Sequence, residues 1–180
     1  MMRAGAVLAV LAVAGTASAD EHAASVGIGW ATFSVPGKKM GNMEPPAITP
    51  DIGGTLSGIY EYALSTDVSL RGELAFGAFY GGEQKGQSAG SFAGLVDAGV
   101  TFRFDVLKTV PYAYAGLGAV IAGGGPIDRG ADFVVVLGGG LDVLVSRERS
   151  WGCELRLASF GGDVTLFTAG VRGTYRWGFF

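Results

Sequence analysis

Along most of this chain, apolar and polar positions alternate with a period of two. From position 151, for example, Trp151, Cys153 and Leu155 alternate with Gly152, Glu154 and Arg156. Such alternation is typical of strands that bury one face, and no segment keeps the 3.6-residue period of a helix. The pattern predicts eight strands, at Ala24–Val35, Ile52–Leu64, Val68–Tyr80, Phe92–Phe104, Pro111–Ala122, Asp132–Ser146, Trp151–Ser159 and Val164–Phe179.

Two of these runs, Pro111–Ala122 and Asp132–Ser146, are almost continuously apolar. The 19 positions between Lys108 and Asp128 carry no charge, so a transmembrane helix has to be weighed there. Proline and five glycines within that window are costly inside a helix, which favours strands. In the first run Phe33 falls on the parity opposite Trp30, and we expect a bulge or a register slip.

The predicted connections alternate in length, with one exception. Pro36–Asp51, Gly81–Ser91 and Gly123–Ala131 are long, whereas Ser65–Asp67, Asp105–Val110 and Arg147–Ser150 are short. Long loops at one end and short turns at the other are typical of outer-membrane barrels. Phe160–Asp163 is also short and breaks the alternation.

Charges within the clearest runs lie on the parity opposite the apolar face, and the four lysines lie outside the predicted strands. A soluble surface normally carries many lysines and glutamates. Aromatic residues near strand ends suggest interfacial girdles; they are Tyr60, Tyr62, Tyr80, Tyr112, Trp151, Tyr175 and Trp177. We therefore predict an all-β fold, a closed up-and-down antiparallel transmembrane β-barrel of about eight strands.

The first 19 residues match a secretory signal peptide, with Arg3, an apolar stretch and a small-x-small cleavage site at Ala17 and Ala19. We expect the barrel domain to occupy positions 20–180. The length of 180 residues suits this single domain, and a net charge of -3 offers no basic stripe for nucleic acid. Cys153, the one cysteine, is expected on an apolar strand face as a small hydrophobic side chain.

The chain resembles the small eight-stranded outer-membrane barrels, typified by the transmembrane domain of outer membrane protein A. The resemblance rests on the signal peptide, on the glycine- and aromatic-containing strand segment 111–118, PYAYAGLG, and on the last strand segment 171–180, VRGTYRWGFF. It implies a C-terminal signal at Tyr175, Trp177, Phe179 and Phe180 that the barrel-assembly machinery reads. The apolar register fits Phe179 and leaves Phe180 as one extra residue.

Little in the sequence points to catalysis. His22, the only histidine, lies next to the expected mature N-terminus and is a poor general base, which argues against a lipid-modifying enzyme. No zinc-type ligand cluster is visible and no cofactor is expected. Gly123–Gly125 and Gly138–Gly140 lack a following Lys-Ser/Thr, so we interpret them as a loop and a tightly packed strand rather than phosphate loops.

A set of charges is expected to face the lumen. Eight strands enclose a space only wide enough for side chains, so a salt-bridged plug is favoured over a polar pathway or gate. The predicted lumen charges are Glu61, Arg71, Glu73, Asp97, Asp142, Glu154, Arg156 and Arg172.

These observations predict a non-enzymatic outer-membrane protein with a structural or surface-interaction role and a lumen plugged by paired charges. Its partners would be outer-membrane lipid, lipopolysaccharide and the assembly machinery, with no nucleic acid and no identified surface partner. One alternative is a narrow pore or a carrier of small solutes. Another is a soluble exported barrel that binds a ligand inside, like a lipocalin.

Overall fold

The computed structural model describes residues 21–36, 47–82, 90–104, 108–128 and 130–178. This part of the chain forms eight antiparallel strands and one 3₁₀ turn, Gly125–Ile127. It holds no helix long and apolar enough to cross a membrane. The strands are β1 (His22–Ser34), β2 (Ile52–Ala63), β3 (Val68–Tyr80), β4 (Gly90–Arg103), β5 (Thr109–Gly123), β6 (Gly130–Leu144), β7 (Arg149–Phe160) and β8 (Val164–Trp177).

Each strand pairs with its neighbours in sequence, and β1 pairs with β8 to close the barrel. The predicted up-and-down fold is therefore confirmed. The seam between β1 and β8 runs without interruption from His22–Trp177 to Ser34–Thr165. The bulge expected in β1 is wrong: Phe33 and Val35 keep the inward parity of the strand and are buried in the lumen.

The two rims of the barrel differ. The terminal end carries Glu21, Gly178 and the short connections within 64–67, 104–108 and 145–148. The loop end carries the connections within 35–51, 81–89, 124–129 and 161–163. At the loop end, Val35 and Ile48 exchange two backbone hydrogen bonds of 3.1 and 2.8 Å. The short β7–β8 connection also lies there, and Gly161 and Gly162, at φ 62° and 76°, permit its tight turn.

The outer face of the wall is apolar over its whole circumference. Leu74, for example, is 69% exposed, and Val26 is 65% exposed. Among the outward strand positions that the structure describes, Arg149 at the start of β7 is the only Asp, Glu, Lys or Arg. This is the surface that a membrane barrel turns toward lipid, whereas a soluble barrel would present polar side chains.

The structure explains why the sequences of β5 and β6 are almost continuously apolar. In the loop-end half of β6, Val134 and Val136 point inward and are fully buried, while Val135 and Leu137 point outward. Both faces are apolar there, so no alternation appears in the sequence. The charge-free window 109–127 covers β5 and the 3₁₀ turn, and β5 faces the lumen with Val120 and Ala122 near its loop end and with Tyr112 and Tyr114 near its terminal end.

Candidate functional site in the barrel lumen

The lumen is divided along the barrel axis into two chemically different halves. The loop-end half is lined mainly by apolar side chains, and the half toward the termini is lined mainly by charged, hydroxyl-bearing and tyrosine side chains. The sequence predicted the charges but not their confinement to one half.

An apolar cap closes the loop-end half. Phe33 of β1 packs edge-on against Phe79 of β3, with ring centroids 5.2 Å apart. Ile127 of the 3₁₀ turn is fully buried against this group from the loop side. The apolar cap comprises Phe33, Val35, Phe79, Val120, Ile127, Val134, Phe160 and Val164.

All eight predicted lumen charges lie at inward strand positions. Arg103 and Arg176 lie inward with them, although the sequence-based set did not include them. Their parity was visible in the sequence, because each alternates with outward aromatic residues. Their partners were not, because the pairs join strands far apart in the chain.

Two ion pairs cross the barrel between β3 and β7, which lie on opposite sides of the eight-stranded wall. Arg71 of β3 reaches Glu154 of β7, with N–O distances of 3.1 and 3.2 Å. Arg156 of β7 reaches Glu73 of β3 in the reverse direction. Arg71 also binds Glu73 on its own strand at 2.8 Å. The four side chains form a continuous chain of ion pairs across the lumen, Glu154–Arg71–Glu73–Arg156, which we call the charged plug.

The charged plug extends toward the terminal end through β8. Arg172 donates to Asp142 at 2.7 and 3.1 Å and to Glu154 at 3.4 Å. Arg176 contacts Asp142 at 3.3 Å and Glu21 at the rim at 3.7 Å. A separate pair, Arg103–Glu61, joins β4 to β2 at 2.8 Å. Buried charges in a lumen need such partners, since an unpaired one costs several kcal/mol.

Two tyrosines of β5 complete the plug, although neither could be recognised as a lumen residue from the sequence. Tyr112 had been expected in an interfacial girdle; instead it is only 4% exposed, on the inner face. The hydroxyls of Tyr112 and Tyr114 donate to Glu154 at 2.9 and 3.3 Å. Arg172 and Arg71 stack over the two rings, with Cζ 4.0 and 3.7 Å from the centroids.

The three consecutive glycines of β6 make room for these rings. Gly138 and Gly140 face inward, and a Cβ at either position would collide with the ring of Tyr114 or the hydroxyl group of Tyr112. The run is therefore a tightly packed strand, as the sequence suggested. The run Gly123–Gly125 forms the end of β5 and the start of the 3₁₀ turn, which agrees with a loop interpretation.

Asp97 differs from the other lumen carboxylates. It lies directly opposite Glu73 on β4 and is buried, yet neither carboxylate oxygen has a hydrogen-bond partner in the described part of the chain. Asp97 lies in the lumen with the other charges, as predicted, but it takes no part in their hydrogen-bonded network.

His22 lies outward at the terminal end of β1. Its ring stacks on Trp177 at 5.6 Å, its Nδ1 is 2.7 Å from the hydroxyl of Tyr60, and Tyr62 is also adjacent. Tyr175 stacks on Trp177 in turn. Cys153 lies outward on β7 and is exposed on the lipid face. Phe179, Phe180 and the cleavage-site residues Ala17 and Ala19 lie outside the described residues.

Small cavities lie between the described side chains of the lumen. Two internal cavities of about 20 Å³ each adjoin Arg156, one toward the apolar cap and one toward the terminal end. Each is large enough for about one water molecule.

The fold is similar to that of small outer-membrane barrels of known structure. Neisserial surface protein A matches with a TM-score of 0.59 at 11% identity over 87% of this chain and 96% of that one. Ail, the attachment invasion locus protein of Yersinia pestis solved with the heparin analogue sucrose octasulfate, matches at 0.56 and 20% identity over 87% and 98%. The outer membrane protein AlkL matches at 0.54 and 14% identity over 88% and 90%.

No protein-family model and no curated protein matches the sequence. At the identities found among solved structures, the likeness is one of fold. That fold, together with the apolar outer face, places the protein in the outer membrane.

Proposed function

We propose that this chain is a non-enzymatic, non-conducting outer-membrane barrel that acts as a structural element or through its loop-end surface. The observation that carries this proposal is the pair of reciprocal ion pairs, Arg71–Glu154 and Glu73–Arg156, that cross the lumen between opposite strands. Side chains that bridge the lumen in this way occupy the cross-section that a solute would need.

A second barrier supports the same conclusion. The apolar cap lies in series with the charged plug, between the plug and the loop end. An ion that passed the plug would still have to enter a section lined by Phe33, Phe79 and Val164. Apolar constrictions oppose ion passage because water does not wet them. A conducting path would require both barriers to move.

The surroundings of His22 support the non-enzymatic part of the proposal. The histidine lies in an outward aromatic cluster with Tyr60 and Trp177, where its Nδ1 is already engaged by a tyrosine hydroxyl. A general base for acyl transfer needs a nucleophile within hydrogen-bond reach. We expect purified barrel to leave phospholipid and lipopolysaccharide chemically unchanged, as measured by mass spectrometry.

The loop end is the part of the molecule left for recognition. The predicted loops there include Lys38 and Lys39, which lie outside the described residues. We propose that this end contacts lipopolysaccharide or a surface partner. Since a barrel of the same fold was solved with sucrose octasulfate, that compound is a suitable first probe of binding.

Assembly is proposed to follow the route expected from the sequence. The signal peptide over positions 1–19 would be removed after Ala19, and the assembly machinery would read Tyr175, Trp177, Phe179 and Phe180. In support, Tyr175 and Trp177 lie outward at the terminal end of the closing strand, where a receptor could reach them before closure.

Planar-bilayer recording tests the proposed function. Purified barrel should show no reproducible current steps, and Leu155→Ala, a substitution on the lipid face, should behave in the same way. Reproducible openings whose conductance changes in Arg71→Ala or Glu73→Ala would overturn the plugged lumen and favour the narrow-pore alternative.

A further inference from the structure

A small polar cavity lies beside the charged plug, enclosed by β1, β2, β7 and β8. Its volume is about 20 Å³, enough for one water molecule or one monatomic ion. Inward-facing Gly27 and Gly170 leave this space open between the strands. Its polar lining consists of Thr55, Ser57, Glu154, Arg156, Thr168 and Arg172.

Some of the hydrogen-bond donors that line this cavity have only weak acceptors or none in the part of the chain that the structure describes. Nη2 of Arg156 makes two contacts, to the hydroxyl oxygens of Thr55 and Thr168, and both are 3.4 Å long. Good hydrogen bonds from nitrogen to oxygen are about 2.9 Å. The hydroxyl of Thr55 donates to the carbonyl of Phe76 at 3.2 Å, so it has no proton to offer the cavity. Thr168 accepts from Arg156 and keeps its proton available.

The local charge favours an anion. The hydrogen-bonded network of the lumen contains four arginines and three buried carboxylates. They are Arg71, Arg156, Arg172 and Arg176, and Glu73, Asp142 and Glu154. Among the described residues, Arg156 has one carboxylate partner, Glu73, and shares it with Arg71. Glu21 compensates Arg176 at the rim, away from the cavity. Asp97 adds a fourth buried carboxylate opposite Glu73 on β4, but it does not line the cavity. The lining itself carries two arginines, Arg156 and Arg172, and one carboxylate, Glu154, so its positive charge is in excess.

We propose that this cavity binds one small monovalent anion of chloride size, held by Arg156 and Arg172 and by the hydroxyls of Thr168 and Ser57. The carboxylate of Glu154 also lines the cavity, but its oxygens accept bonds from Arg71, Tyr112 and Tyr114. The two arginines outweigh its charge. An anion here would compensate the buried guanidinium of Arg156, whose carboxylate partner Glu73 is shared with Arg71. The site is independent of the proposed function, since a conducting barrel could also hold it.

Crystals of the full mature barrel grown in bromide test this site. Diffraction data collected at the bromine absorption edge should show an anomalous peak in the cavity, within hydrogen-bond distance of Arg156 and Thr168. The peak should disappear when bromide is exchanged for gluconate, which is too large to enter. Electron density without anomalous signal in molar bromide would identify water and overturn the proposal, as would anomalous peaks confined to the surface.

Two variants and a matched control sharpen the test. Arg156→Met keeps an unbranched apolar stem but removes the guanidinium and its charge, and the peak should be lost. Thr168→Val should reduce it, whereas Thr101→Val, which removes a buried lumen hydroxyl remote from the cavity, should retain it. A peak of full height in both Arg156→Met and Thr168→Val would overturn the assignment of the ligands. If Arg156→Met does not fold, the anomalous peak heights of Thr168→Val and Thr101→Val are compared instead. Equal heights in these two variants would overturn the proposal.

Discussion

The hydroxyl of Tyr112 on β5 donates a 2.9 Å hydrogen bond to Oε2 of Glu154 on β7, passing over the strand between them. The ring can take this path because β6 presents Gly140 beneath it. Glu154 simultaneously accepts from Arg71 and Arg172. The carboxylate is thus the point at which β3, β5, β7 and β8 are joined inside the barrel.

Removing the hydroxyl that donates to Glu154 should destabilise the barrel measurably. Hydrogen bonds to charged groups contribute about 1.5–3 kcal/mol, so Tyr112→Phe should lower the free energy of unfolding by that order. Tyr114→Phe should cost less, because its bond is longer, at 3.3 Å. Equilibrium urea unfolding in lipid vesicles, followed by tryptophan fluorescence, measures both. Equal effects of the two variants would contradict the assignment of the stronger bond to Tyr112.

The inward glycines of β6 should not tolerate a methyl group. Gly138→Ala places a Cβ against the ring of Tyr114, and we expect a loss of about 1–3 kcal/mol. Gly72→Ala is the matched control, since its Cβ would point outward with no atom within 4 Å. That control should be neutral or stabilising by up to about 1 kcal/mol. The same urea titration distinguishes them; a control that destabilises as much as Gly138→Ala would mean that the faces are misassigned.

Charge on the outer face should be costly in proportion to depth. Leu74 lies mid-strand and is 69% exposed, so Leu74→Arg should destabilise by about 2–4 kcal/mol. Val145, which is 70% exposed, lies in a turn at the terminal end, and Val145→Arg should cost about 1 kcal/mol or less. Unfolding free energies in vesicles provide the comparison. Equal costs would argue against a lipid-facing position for Leu74.

The apolar cap should contribute to stability as a protein core does. Phe33 is 1% exposed, and Phe33→Ala would leave a void beside Phe79, at a cost of about 3–5 kcal/mol. Phe92 is 47% exposed on the outer face, where lipid can fill the space left by Phe92→Ala, so this control should cost clearly less. Thermal unfolding in detergent, read from the mobility shift on unheated gels, ranks the two variants. A larger effect at Phe92 would contradict an inward Phe33.

Cys153 should react only with reagents that enter lipid. The thiol is exposed on the outer face between Leu141 and Val171 of the adjacent strands, where charged reagents do not penetrate. In vesicles, a lipophilic maleimide should label it and a membrane-impermeant sulfonated maleimide should not, until the barrel is unfolded. Mass spectrometry counts the label. Fast labelling of the folded barrel by the sulfonated reagent would show that Cys153 faces water.

The eight strands could be predicted because the lipid face is apolar throughout, so it marks every second residue of each strand. The same cue fails for residues such as Phe33 and Tyr112, because an apolar residue on the inner parity looks like a bulge or a girdle residue. Parity tells which residues share a face of the wall. It does not tell that the inner face is apolar in one half and charged in the other.

The pairing of the lumen charges could not be predicted either. Glu73 and Asp97 lie directly opposite each other on adjacent strands, and local pairing alone would treat them alike. Only Glu73 is reached by Arg156, from the far side of the barrel. Which charges meet across the lumen depends on strand tilt and on closure of the whole ring, and neither is encoded in a local pattern.

The backbone bridge between Val35 and Ile48 has a practical consequence for protein engineering. Two backbone hydrogen bonds between Val35 and Ile48 hold the described chain on the two sides of this connection together. Beneath this connection, the apolar cap already closes the loop end of the lumen. Because Val35 and Ile48 stay paired, foreign peptides inserted between them should leave the barrel folded, which makes this connection suited to peptide insertion.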